Sequence, residues 1–313
     1  MKKRIVIALG GNAILDKDAS EIGQIETIRD TVKLIMSLDP TQNEIVITHG
    51  NGPQVGNLLL QQIFGSSENN PPLSLNTCVS MTQGSIGNWL QNEITNEMNR
   101  ENLDPKVVVI PTRVLVSSDD KAFINPEKPI GPFYKEMVSD HKENHQYKFF
   151  EDRGWRRVVA SPEPLEILEI DAIEKMIENG YIVICGGGGG SAYVRDSHQK
   201  ILIPKDCVID KDLVAEKIAS NLKADILIIL TGVNNVYLNY KESNETILKK
   251  VSVKELRDYI EDGKFESGTI LPKMKAAVNF ITNNPSSQVV ITSLEKVSEI
   301  SKHEVGTIVV SEL

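Results

Sequence analysis

Three glycine clusters each directly follow a short apolar run: Gly10-Gly11-Asn12 after Leu9, His49-Gly50-Asn51-Gly52-Pro53 after Thr48, and Gly186 to Gly190 after Cys185. Glycine admits positive φ and lets backbone N–H groups approach a ligand closely. Converging N–H groups, backed by the positive end of a following helix, make an anion site. Pro53 suits the first turn of such a helix. One cluster alone can be an ordinary tight turn, but three after strand-like runs point to a shared phosphate site. Lysines stand where they could serve it. Asp210-Lys211-Asp212 opens one helical segment, and Lys273 follows Pro272 at the head of another. The aspartates suit a helix start as caps, whereas the lysines oppose the helix dipole there. Lys128 lies in a polar, proline-punctuated stretch from which it could reach across a cleft. Backbone donors plus separately mounted lysines are what phosphoryl transfer asks for: positioning, and neutralisation of the transferred oxygens.

Other chemistries fit less well. No Gly-x-x-x-x-Gly-Lys-Ser/Thr string occurs, and Gly50-x-Gly52 is followed by Val55 where a dinucleotide turn needs glycine. His49 reads as a hydrogen-bonding loop residue rather than a phospho-acceptor. His141 and His145 have helical spacing, but no Glu follows the first, so a solvated face is expected rather than zinc. Cys78, Cys185 and Cys207 form no Cys-x-x-Cys pair, and Cys185 ends an apolar run as a core residue would. Arg156-Arg157, beside Trp155, either bind an anion or brace their own segment; the second is expected. No metal ligands are assigned.

Six apolar runs must position these groups: Ile5–Leu9, Glu44–Thr48, Lys106–Ile110, Tyr181–Cys185, Asp225–Leu230 and Gln288–Thr292. Their continuous apolarity predicts strands covered on both faces. Helical patterns at Glu21–Met36, Pro53–Phe64, Thr82–Arg100, Pro164–Asn179, Asp212–Leu222 and Pro272–Thr282 alternate with them. Ser161-Pro162-Glu163-Pro164 reads as one helix opening. The rhythm predicts a three-layer α/β/α sandwich around a mainly parallel sheet. The stretch from Thr112 to Val159 breaks it and is expected to form a small protruding subdomain inserted in a single 1–313 domain.

The 313 residues carry a net charge of −9, which argues against nucleic-acid binding. No apolar run reaches membrane-spanning length, and Ile5–Leu9 is too short for a secretory signal, so a cytoplasmic location is expected.

Several strings resemble the carbamate kinase family, in family order: Gly10-Gly11-Asn12-Ala13, Thr48 to Gly56, Lys128-Pro-Ile-Gly-Pro-Phe-Tyr134, Gly154-Trp-Arg-Arg-Val-Val159 and Ile209-Asp-Lys-Asp212, with Met81 to Gly87 and Leu271-Pro-Lys273. The resemblance covers essentially the whole chain. It implies the amino acid kinase fold, a homodimer, ATP/ADP with Mg2+, and carbamate/carbamoyl phosphate as the other substrate pair, in arginine or agmatine catabolism. By position, Gly10, Gly11, Asn12, Gly50, Asn51 and Gly52 would cradle carbamate and the moving phosphoryl group. Lys128 would reach toward carbamoyl phosphate, Lys211 and Lys273 would neutralise nucleotide phosphates, and Asp210 would orient the lysines. Asp212, Gly186, Gly187 and the region of Tyr237 would face the nucleotide. The chain departs from the family pattern at Gly190-Ser191-Ala192, at Gly232 and Asn234, at Gly268-Thr269-Ile270, and at Glu127, which adds negative charge beside Lys128. A kinase for another small carboxylate, or a non-catalytic nucleotide sensor, are the competing readings.

Overall fold

A computed structural model describes residues 2–15, 17–137, 145–196, 198–240, 242–265, 270–300 and 305–313. Its largest sheet has eight strands in the order Lys250–Ser252, Thr307–Val310, Gln288–Ser293, Ile226–Thr231, Lys3–Leu9, Asn43–His49, Ile182–Cys185 and Val107–Ile110. From Gln288–Ser293 to Val107–Ile110 every neighbouring pair is parallel. Thr307–Val310 pairs antiparallel with Gln288–Ser293 and parallel with Lys250–Ser252. All six apolar runs are strands of this sheet.

Continuous apolarity has its expected cause. Along the first strand, Ile5, Ile7 and Leu9 pack on one face with α1 (Glu21–Met36) and α3 (Leu75–Arg100). Val6 and Ala8 pack on the other with α4 (Ile170–Glu178), α5 (Lys211–Asn221), α6 (Val253–Glu261) and α7 (Leu271–Asn283). Alternate side chains therefore enter two separate cores, and neither face is left for polar residues. Burying each large aliphatic side chain contributes about 1.5–3 kcal/mol. Among the described residues no helix is long and apolar enough to cross a membrane.

Two expectations shift. The helix placed at Pro164–Asn179 begins only at Ile170. Pro164 disfavours helical geometry at Glu163, and the segment runs extended beside Arg113–Leu115. Leu165 N–H donates to Leu115 O at 2.8 Å, and Glu166–Ile167 forms a short strand there. Conversely, α3 starts seven residues before Thr82, at Leu75, where the Ser74 side chain accepts from Thr77 N–H.

Within 112–159, which shows no strand pattern in sequence, Lys128–Tyr134, Gln146–Phe150 and Gly154–Val159 form an antiparallel three-stranded sheet of their own. Arg113–Leu115 instead joins a four-stranded sheet with Ser191–Arg195, Leu202–Pro204 and Glu166–Ile167. The separate sheet meets α2 (Gly52–Gly65) through a small apolar cluster that includes Val55, Leu59, Ile130 and Val159. The approach is close: a Cβ on Gly56 would lie 3.5 Å from Gly131 Cα.

Candidate active site

The glycine clusters follow strands that are adjacent in the sheet, so their loops share one edge: the carboxyl ends of Lys3–Leu9, Asn43–His49 and Ile182–Cys185. Open α/β sheets bind ligands at this edge. The first two loops are tied together by Gly50 N–H donating to Leu9 O at 3.3 Å. Asn51 is buried, and its Nδ2 donates to Thr82 Oγ1 at 2.8 Å. That bond anchors the second loop to α3.

Lysine chemistry enters from the helices. α5 begins with the Asp210 side chain accepting from Asp212 N–H at 2.9 Å, which satisfies one of the donors a helix start leaves open. Lys211 and Asp212 are its first two residues. α7, packed against α5, presents Lys273 in its own first turn. Asp212 bridges the two lysines: Oδ1 accepts from Lys211 Nζ at 2.7 Å, and Oδ2 from Lys273 Nζ at 2.7 Å. Two helix N-termini and two ammonium groups meeting one carboxylate leave an excess of positive charge.

Burial alone would raise the Asp212 pKa, but Lys211 and Lys273 hold it below the ordinary carboxylate value. Burial pushes the Lys211 pKa below the usual lysine value; Asp212 opposes the shift and Lys273 adds to it. Lys211 passes under the second loop, where a Cβ on Gly50 would come within 3.2 Å of its Cδ. Glycine there keeps the lysine's path open.

The two aspartates divide the lysines: Asp212 takes Lys211 and Lys273, and Asp210 takes the third, with Lys128 Nζ donating to Asp210 Oδ2 at 2.9 Å. This pair joins the three-stranded sheet to the start of α5. Glu127 does not compete for Lys128, since it is exposed and accepts from Lys148 Nζ at 3.2 Å. Gly10, Gly11 and Asn12 line the first loop, and a Cβ on Gly232 would lie 3.5 Å from Asn12 Nδ2.

The third cluster, Gly186 to Gly190, is buried throughout. Gly186 and Gly187 are buried, and Gly186 N–H donates to Thr112 Oγ1 at 2.8 Å, so it is already committed within the protein. Thr112 N–H in turn donates to Gln83 Oε1 at 2.8 Å. This buried network, with Thr82 and Gln83 on α3, braces the glycine turn from behind. Sequence reading passed over both residues individually, although they lie inside the Met81–Gly87 string. Tyr237 stands on a short hairpin beyond the Ile226–Thr231 strand, its ring 5.6 Å from that of Tyr240.

Nucleophilic side chains are disarmed. His49 is buried, its Nδ1–H donating to Gly50 O at 2.9 Å; burial first, and then Lys211, push its pKa down to about 4. Burial raises the Cys78, Cys185 and Cys207 thiols. No cluster of three or more His, Cys, Asp or Glu able to hold a metal occurs among the described residues. His141, Gly268 and Thr269 lie outside the described residues.

Residues 3–293 match the amino acid kinase family. A carbamate kinase of Oenococcus oeni is 46% identical over 311 residues, covering 98% of this chain and 98% of its own length. Carbamate kinase 2 of Enterococcus faecalis is 45% identical over 307 residues, covering 97% of each chain. Among solved structures, carbamate kinase from Giardia lamblia bound to AMP-PNP superposes with a TM-score of 0.92 at 34% identity, covering 99% of this chain and 98% of that one.

Proposed function

This chain belongs to the amino acid kinase family, among its carbamate kinases, and from that membership we propose that the site moves a phosphoryl group reversibly between carbamoyl phosphate and ADP, giving carbamate and ATP. The observation that carries the assignment to these residues is the Lys211–Asp212–Lys273 bridge beside the Gly50 loop.

Lys211 and Lys273, at the heads of α5 and α7, neutralise the nucleotide phosphates and the charge passing between substrates. Asp212 fixes both ammonium groups in space, so their positions are set before substrate arrives. The Gly10–Asn12 and Gly50–Gly52 loops cradle carbamate and the moving phosphoryl group through backbone N–H groups, helped by the N-terminus of α2. Lys128 approaches from the three-stranded sheet, which serves as a protruding subdomain, and Asp210 gives its ammonium a fixed resting partner. Tyr237 and the third glycine turn border the nucleotide side, with Gly186 and Gly187 shaping the turn.

Both Asp212 oxygens are taken by lysines and Asp210 holds Lys128. Such a site suits Mg2+ arriving with the nucleotide phosphates, since magnesium commonly keeps waters and phosphate oxygens as ligands rather than a protein cage.

Transfer is direct, with no phosphoenzyme. A buried, neutral His49 hydrogen-bonded within its own loop, and thiols held protonated, offer the phosphoryl group no competing acceptor. The proposed cellular direction is ATP formation, in arginine or agmatine catabolism. Magnesium-dependent ATP formation from carbamoyl phosphate and ADP tests the reading. A protein that binds ADP yet makes no ATP fits a sensor, and one that phosphorylates a different small carboxylate fits another kinase.

A further inference from the structure

Between α2 and the Lys128–Tyr134 strand lies a cleft of about 410 Å3 that begins at Gly52. The chain carries a net charge of −9, yet among the described residues the ionisable side chains lining this cleft are two cations, Lys128 and Arg156. The α2 wall adds no charge, because Gly52–Gly65 contains no ionisable residue; its positive helix end faces the same space through Gly52 and Pro53.

The two cations differ. Lys128 is matched by Asp210 at 2.9 Å. Arg156 pairs with no carboxylate among the described residues, whereas Arg113 pairs with Glu169 and Arg195 with Glu166. Its Nε donates to Gly131 O at 2.8 Å, and its guanidinium carbon lies 4.7 Å from the Phe133 ring centroid. These contacts fix the plane of the guanidinium while using only one of its donors. Burial and the neighbouring Arg153 both disfavour its charge. A half-buried guanidinium with no counter-ion among the described residues is suited to a phosphate, which it can grip with two parallel N–H donors.

We propose that Arg156 captures the phosphorylated substrate in this cleft and passes it to Lys128 and the Gly10 and Gly50 loops. The proposal rests on the carbamate kinase reading, and it makes Arg156 a substrate-binding residue rather than only a brace of its sheet.

The test is initial-rate kinetics on the purified full chain, varying carbamoyl phosphate and ADP separately, for wild type, Arg156→Lys and Arg156→Gln. Glutamine keeps a donor for Gly131 O but removes the charge. Removing a half-exposed charge contact of about 1 kcal/mol raises the carbamoyl phosphate KM roughly fivefold, with the ADP KM and kcat nearly unchanged. The salt dependence of kcat/KM for carbamoyl phosphate flattens in Arg156→Gln and is largely restored in Arg156→Lys. An unchanged carbamoyl phosphate KM in folded Arg156→Gln overturns the proposal. So does an equal loss on both substrates with a lowered Tm, which marks a purely structural role. Should wild type form no ATP, calorimetric titration with inorganic phosphate separates the two failures. Weaker phosphate binding by Arg156→Gln than by wild type supports anion capture without the kinase reading, and equal binding rejects it.

Discussion

Asp212 sets the charge balance of the site, because two lysines at two helix starts share its two oxygens. Leaving those lysines buried without it would cost about 3–5 kcal/mol. The lysines were legible in the sequence as cations in places that helix electrostatics disfavours. Which aspartate served them was not, since Asp210 and Asp212 flank Lys211 equally and only the turn of α5 separates their directions. His49 carries a separate consequence for pH. Burial holds its folded pKa down at about 4, below the ordinary histidine value of 6.5. Above pH 6.5 both folded and unfolded states are neutral and the residue is silent. As pH falls from 6.5 toward 4 the unfolded state takes up a proton that the folded state refuses, so stability declines across that window. By pH 5 the loss is about 2 kcal/mol. Urea unfolding of wild type and His49→Gln at pH 7.5 and pH 5 checks it: the variant should lose less stability than wild type by about that amount. Equal losses would show that His49 is protonated in the folded protein.

At the scale of elements, parallel strands bring loops distant in sequence to one edge, and helices α5 and α7 deliver the lysines to that edge. Strand positions were readable because burial on both faces leaves continuous apolar runs such as Ile5–Leu9 and Ile226–Leu230. The three-stranded sheet was not readable as strands, since prolines and glycine interrupt Lys128–Tyr134 and its residues are mostly half-buried. The start of α3 was hidden for a related reason: Asn76 and Thr82, polar in sequence, are buried and hydrogen-bonded. Loop and helix meet at Gly50, whose added Cβ would sit 3.2 Å from Lys211 Cδ. Gly50 does not have positive φ, so Gly50→Ala keeps the fold and displaces the lysine instead. A shift of a few tenths of an ångström there should lower kcat by roughly ten- to a hundredfold, with a far-UV spectrum like that of wild type. Full activity in the variant would show that the path of Lys211 under the loop is unimportant.

The whole molecule separates its tasks: a two-faced core holds the loops and lysines rigid, while a second small sheet brings Lys128 and Arg156 over one side. The fold class followed from strand rhythm, and glycine placement pointed to a candidate site, but how far apart its groups stand depends on packing that no sequence pattern displays. Self-association belongs to this scale. Ile63 is 51% and Phe64 84% exposed at the end of α2, and exposed Leu73 is tied to the same helix end, its N–H donating to Gln62 Oε1 at 3.2 Å. Such exposed apolar side chains suit a subunit contact, in keeping with the homodimer that the family resemblance implies. Sedimentation of wild type should give twice the mass of the chain, and Phe64→Glu should shift it toward one; a monomeric wild type would refute the dimer. The central claim is that the bridged lysines transfer phosphate from carbamoyl phosphate to ADP, and ATP formation by wild type and Lys211→Ala, with and without magnesium, tests it most directly. Wild type should form ATP in a magnesium-dependent way, and the folded variant should lose roughly a hundredfold or more of that activity. Equal ATP formation by the two proteins would contradict it.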